Sequence, residues 1–147
     1  MVTRQRILEL IPHQGAMCLL DSALAWSATD ITCVAQSHLS ADNPLRRDGL
    51  LHPVCGIEYG LQAAALHGAL LRGTRQPTAY LASLRGVEIR TSRLDDQSLG
   101  ILRVTATQEI CAPHGVTYRF ALAAEAGVEL LSGRALLATL ATGMDPT

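Results

Sequence analysis

Val54-Cys55-Gly56-Ile57-Glu58-Tyr59-Gly60-Leu61-Gln62-Ala63-Ala64-Ala65-Leu66-His67-Gly68-Ala69-Leu70-Leu71 decides how this chain is built. The run is too long for a strand and apolar on every face, the pattern of a helix enclosed on all sides. It is nearly long enough to span a bilayer. Glu58, Gln62 and His67 interrupt it and three glycines loosen it, so a helix inside a globular core is the better account. Pro53 suits the first helical position, where its missing N–H would have no partner anyway, and Gly73 suits the C-cap. The spacing predicts a helix from about residue 53 to 72.

Glu58 and Gln62 lie one turn apart and form a small polar stripe on this helix. Little in the surrounding sequence can balance a carboxylate. A buried, unpaired Glu58 is expected to have a raised pKa and to stay protonated, the state a general acid needs. The alternative is a structural Glu58, satisfied by a backbone amide or by a partner subunit.

Working outward, Ile7, Leu8 and Leu10 among charged neighbours read as a short helix over 4–10, ended by Pro12, with a turn at His13-Gln14-Gly15. Met17–Trp26 and Ile31–His38 read as two strands joined through Ser27-Ala28-Thr29-Asp30. The turn-rich 40–49 segment leads into the central helix. Beyond it, Thr78–Thr91, Leu99–Ala112, Val116–Ala124 and Val128–Leu140 are predicted strands, although the Ala-rich last two are ambiguous by period. The last few residues are expected to fray. Two strands, one long apolar helix and four more strands make an α+β order. A curved antiparallel sheet then wraps a single helix, which is a hot-dog arrangement, over one domain from 1 to 147. Its open sheet edges call for pairing with a second subunit.

With 147 residues, 48% hydrophobic composition and a net charge of −1, the chain can hold a real core and has no general electrostatic case for binding nucleic acid or an anionic membrane. Its twelve basic side chains are all arginine. Cys18, Cys33, Cys55 and Cys111 lack CxxC spacing, which argues against a metal site and a disulfide framework and fits a reducing cytoplasm. The N-terminus lacks the apolar core and cleavage site of a signal peptide. No glycine-rich phosphate loop and no cluster of His and carboxylate ligands is present, so neither metal nor nucleotide cofactor is expected.

Ile7-Leu8-Glu9-Leu10-Ile11-Pro12-His13-Gln14-Gly15-Ala16-Met17-Cys18-Leu19-Leu20-Asp21, then Gly56-Ile57-Glu58-Tyr59-Gly60-Leu61-Gln62-Ala63, then Leu81–Ile89 occur in an order and spacing that resembles one known family. It is that of the 3-hydroxyacyl-acyl-carrier-protein dehydratases of fatty acid synthesis, and more closely their relatives in bacterial aryl-polyene and related pigment clusters. The resemblance implies dehydration of a 3-hydroxyacyl thioester to a trans-2-enoyl thioester. The substrate would be carried on the phosphopantetheine of an acyl carrier protein, and no other cofactor is implied. Glu58 matches the family's acid. Backbone N–H groups at Cys55 and Gly56 would hold the thioester oxygen, and Gly56 would let the substrate approach closely. Gln62 would orient Glu58 or the hydroxyl, or serve as a structural hydrogen bond. The family's usual catalytic His falls on Pro44 here, so His52 is the leading candidate base and His38 the next.

His13 is read as shaping its turn, His67 as a core imidazole and His114 as facing water. Arg46-Arg47 or Arg72 with Arg75 could contact the carrier or its phosphopantetheine, or be ordinary solvated surface. Ala63, Leu66 and Leu70 could line an acyl tunnel or fill core. The assembly would be a homodimer or a heterodimer with a homologous hot-dog subunit, and a tetramer of dimers is open. Two other functions fit: thioester hydrolysis with Glu58 activating water, and a non-catalytic partner subunit of an active dehydratase.

Overall fold

The computed structural model describes residues 1–75 and 79–139; Thr78, Leu140 and the tail expected to fray lie outside the described residues. Helix α1, Arg4–Leu10, starts where the Thr3 side chain accepts from the Arg6 N–H and ends before Pro12. Strand β1 covers Ser22–Trp26 and β2 covers Asp30–Ala35. Ser27 closes their hairpin: its hydroxyl accepts from the N–H groups of Thr29 and Asp30, each at 3.2 Å. Helix α2, Gly56–Arg72, follows, and then β3 (Ala79–Ile89), β4 (Leu102–Ala112), β5 (Gly115–Ala123) and β6 (Glu129–Thr139).

All six strands form one antiparallel sheet in the order β1-β2-β4-β5-β6-β3. Ile31, Cys33 and Ala35 of β2, Leu102, Val104 and Ala106 of β4, and Tyr118, Phe120 and Leu122 of β5 are buried at alternate positions. This period of two in β5, and the pairing of β6 with both β5 and β3, show that the ambiguous Ala-rich segments are strands. The buried side chains meet α2, which touches β2, β4, β5 and β6, so the sheet wraps the helix in a hot-dog fold. Close wrapping requires Gly60: a Cβ there would lie 2.9 Å from Phe120 Cβ.

Four boundaries differ from the sequence reading by three residues or more, among them the start of β4 at Leu102 rather than Leu99, because Gln97–Leu99 is a 3-10 helix. Gly15–Met17 is a 3-10 turn and Cys18–Asp21 lies outside β1, so the first strand starts at Ser22 rather than Met17. The second strand stops at Ala35, because Ser37–Leu39 turns into a 3-10 helix. Pro53–Cys55 is likewise a 3-10 turn, with α2 proper starting at Gly56. No helix among the described residues is long and apolar enough to cross a membrane.

Candidate functional site

The site is built where the turn after α1 meets the first turns of α2. Arg4 braces that turn from one side, donating to the carbonyls of Gly15, Cys18 and Leu20 at 3.0, 2.9 and 3.1 Å. Gln14 braces it from the other, donating to Leu8 O at 2.6 Å and Ile11 O at 3.3 Å. Gln62, fully buried, joins the turn to α2: its Oε1 accepts from the Leu19 N–H at 2.9 Å and its Nε2 donates to Met17 O at 2.7 Å.

This bracing brings His13 Nε2 to 3.1 Å from Glu58 Oε1. Gln62 Nε2 reaches the same oxygen at 3.5 Å. The two side chains keep 27% and 32% of their surface in solvent, so the pair is partly exposed rather than sealed in the core. His13 Nδ1 is buried without a partner, which leaves Nε2 as the ring nitrogen in contact.

The expectation of a protonated Glu58 is overturned. The hydrogen bond from His13 is the largest influence on Glu58 and holds its carboxyl below the ordinary carboxylate range, against the upward push of burial. Sequence reasoning failed here because the balancing group comes from a distant turn, not from α2. The reading of His13 as a turn residue alone is corrected by the same contact.

His52 caps the 3-10 turn before α2, and its side chain makes no capping hydrogen bond. The imidazole at Glu58 is that of His13. His38 is fully buried and bonds to the Gly100 carbonyl at 2.8 Å through Nε2. His67 is a satisfied core imidazole, held by the Tyr118 hydroxyl at 2.7 Å and the Ser27 carbonyl at 2.9 Å. His114 is exposed.

The backbone donors expected at the helix start are already occupied. The Cys55 N–H bonds to His52 O at 3.0 Å and the Gly56 N–H bonds to the Pro53 and Val54 carbonyls, because the 3-10 turn consumes them. Packing accounts for Gly56, since a Cβ there would lie 3.1 Å from Leu122 Cδ2 and 3.3 Å from Leu131 Cδ1. Arg46 is tied to Asp95 at 3.2 Å, and Arg47 donates to the Pro44 and Arg46 carbonyls at 3.0 and 2.7 Å.

Ala63 and Leu66 fill core. A mostly apolar cavity of about 240 Å³ lies along another face of α2, lined by Ala64, Gly68, Leu71, Val116, Tyr118 and Leu137 together with Arg72, Gln108 and Cys111. All four cysteines are free, and no group of metal-ligating side chains occurs among the described residues.

The model of the ApeP-like family, described as ApeP dehydratase, matches residues 5–136. No curated protein sequence matches the chain. Among solved structures, the dehydratase heterocomplex ApeI:P from Xenorhabdus doucetiae is similar at 18% identity and a TM-score of 0.79, covering 94% of this chain and 93% of that one. The E. coli PaaI protein of the phenylacetic acid degradation operon is similar at 8% identity and a TM-score of 0.60, covering 80% and 81%. A mutant of the thioesterase PA1618 from Pseudomonas aeruginosa is similar at 11% identity and a TM-score of 0.58, covering 80% and 78%. At these identities the structures show a shared fold.

Proposed function

The chain belongs to the ApeP-like dehydratase family, and from that premise we propose that it dehydrates carrier-bound 3-hydroxyacyl thioesters to trans-2-enoyl thioesters at the Glu58–His13 pair. The observation that carries the reading is the 3.1 Å contact between an imidazole and a carboxylate that both reach solvent. Loss of water needs a base at Cα and an acid at the hydroxyl, and this pair supplies one of each.

The lowered pKa of Glu58 favours an ionised carboxylate, and the proposed step starts from that carboxylate beside a His13 that carries the proton. Glu58 then takes the Cα proton as the C3–O bond breaks, and His13 Nε2–H delivers its proton to the departing hydroxyl, which leaves as water. The proton gained by Glu58 returns to His13 across their contact, and the pair is restored. The resemblance gives Glu58 the part of the acid; its ionised state favours the opposite assignment. Gln62 holds both halves of the pair in place.

The assembly we propose is a heterodimer with a homologous hot-dog subunit. Support comes from the similar ApeI:P heterocomplex and from β3, an open edge strand whose Tyr80, Leu81 and Ile89 are exposed. An ionised Glu58 also suits activation of water, so thioester hydrolysis is the second reading.

The test incubates the purified chain, alone and with its homologous subunit, with carrier-bound 3-hydroxyacyl substrate and follows intact mass. Loss of water that Glu58→Gln abolishes supports the proposal. Release of free carrier thiol means hydrolysis instead, and loss of water unaffected by Glu58→Gln means a partner subunit without chemistry.

A further inference from the structure

Three arginines stand side by side on the outer face of the sheet. Register sets Arg119 of β5 opposite Arg134 of β6, and Arg134 opposite Arg85 of β3. Their neighbours Tyr118 and Phe120 point inward, Tyr118 bonding to His67 and Phe120 lying against Gly60, so the arginines face away from α2. All three are exposed.

Like charges directly opposite one another destabilise a sheet, and this row has two such pairs in succession. One carboxylate among the described residues answers it: Glu109, at the β4 bulge, lies 2.8 Å from Arg134 Nε and 3.4 Å from its NH2. Among the described residues Arg85 and Arg119 have no hydrogen bond or ion pair. On β5 and β6 the flanking rows are uncharged, Ala121 and Ser132 on one side and Thr117 and Leu136 on the other; on β3 they hold Ser83 and Glu88, and Glu88 is paired with Arg90. The result is a positive stripe crossing β5, β6 and β3, on a chain whose net charge is −1.

We propose that this stripe docks an acidic α-helix of a partner protein, laid across the strands. The spacing is what favours a helix. Adjacent strands are about 4.8 Å apart, so the three arginines span about 10 Å. Carboxylates at i, i+4 and i+7 of a helix lie on one face and span about 10.5 Å at 1.5 Å per residue. Each can therefore meet one guanidinium. Because the stripe is on the face opposite α2, this partner is distinct from whatever brings substrate to Glu58, and the proposal is independent of the catalytic reading.

The test uses fluorescence anisotropy with a labelled helical peptide carrying Glu at i, i+4 and i+7, beside an isomer with the same residues spread around the helix. The patterned peptide should bind at least tenfold tighter than its isomer. The double variant Arg85→Glu/Arg119→Glu should lose that preference, with circular dichroism and the thermal midpoint showing an intact fold. Arg103→Glu, an exposed arginine outside the row, should change binding less than twofold. Equal binding of the two peptides, equal loss in Arg103→Glu, or displacement by inorganic tripolyphosphate at lower concentration than by unlabelled peptide overturns the proposal, the last in favour of a phosphate ligand.

Discussion

His13 Nε2 and Glu58 Oε1 are 3.1 Å apart, although one residue follows α1 and the other is in the first turn of α2. The contact decides which imidazole touches the carboxylate. Glu58→Gln and His13→Ala should each lower the dehydration rate by about 10²- to 10⁴-fold, the usual worth of a positioned acid or base. His52→Ala should stay within a few-fold of the parent. Single-turnover loss of water by intact mass compares the three, and a larger loss in His52→Ala than in His13→Ala would assign the participating imidazole to His52.

Gly60 and Phe120 set how closely the sheet wraps α2. A methyl group at Gly60 would lie 2.6 Å from Phe120 Cγ and 2.9 Å from its Cβ. Gly60→Ala should therefore cost about 1–3 kcal/mol, as overpacking of a filled core does. Urea unfolding measures this; an unchanged midpoint would mean that Phe120 has room to move.

His38 makes stability depend on pH. Burial lowers its pKa below the ordinary 6.5, outweighing its bond to the Gly100 carbonyl and the charges of Asp21 and Asp95. Below 6.5 the unfolded chain binds a proton that the folded chain refuses, so this contribution is complete above 6.5 and is lost as pH falls through the folded value. His38→Gln should flatten the fall in thermal midpoint between pH 7 and 5. A slope equal to that of the parent would assign the effect to other groups.

The open edge at β3 predicts a partner strand. Leu81→Lys and Tyr80→Lys, which place charge on that edge, should abolish association with a homologous hot-dog subunit and leave the monomer folded. Native mass spectrometry of the co-expressed pair reads this directly. Association that survives both changes would place the interface elsewhere.

Much of the fold was legible in the residues because it rests on local periodicity. The apolar run around Glu58 shows a helix that must be covered, and alternation in β2, β4 and β5 supplies the sheet that covers it. The strand boundaries at Met17 and His38 were less legible, since 3-10 turns there carry the same apolar residues as strands. Glu58 and Gln62 were visible as a polar stripe for the same local reason.

What the sequence determined by itself is therefore the set of elements, their order, the resemblance and the carboxylate. Tertiary structure alone decided that His13 meets Glu58, that Gln62 ties their two segments together and that the N–H groups of Cys55 and Gly56 are spent. It also set Arg85, Arg119 and Arg134 in one row. Hydrogen bonds and cross-strand register join residues far apart in the chain, and side-chain period within one segment says nothing about which distant segment lies opposite. The pKa of Glu58 followed the same logic: burial could be guessed from its neighbours in sequence, but its sign was set by an imidazole that only folding delivers.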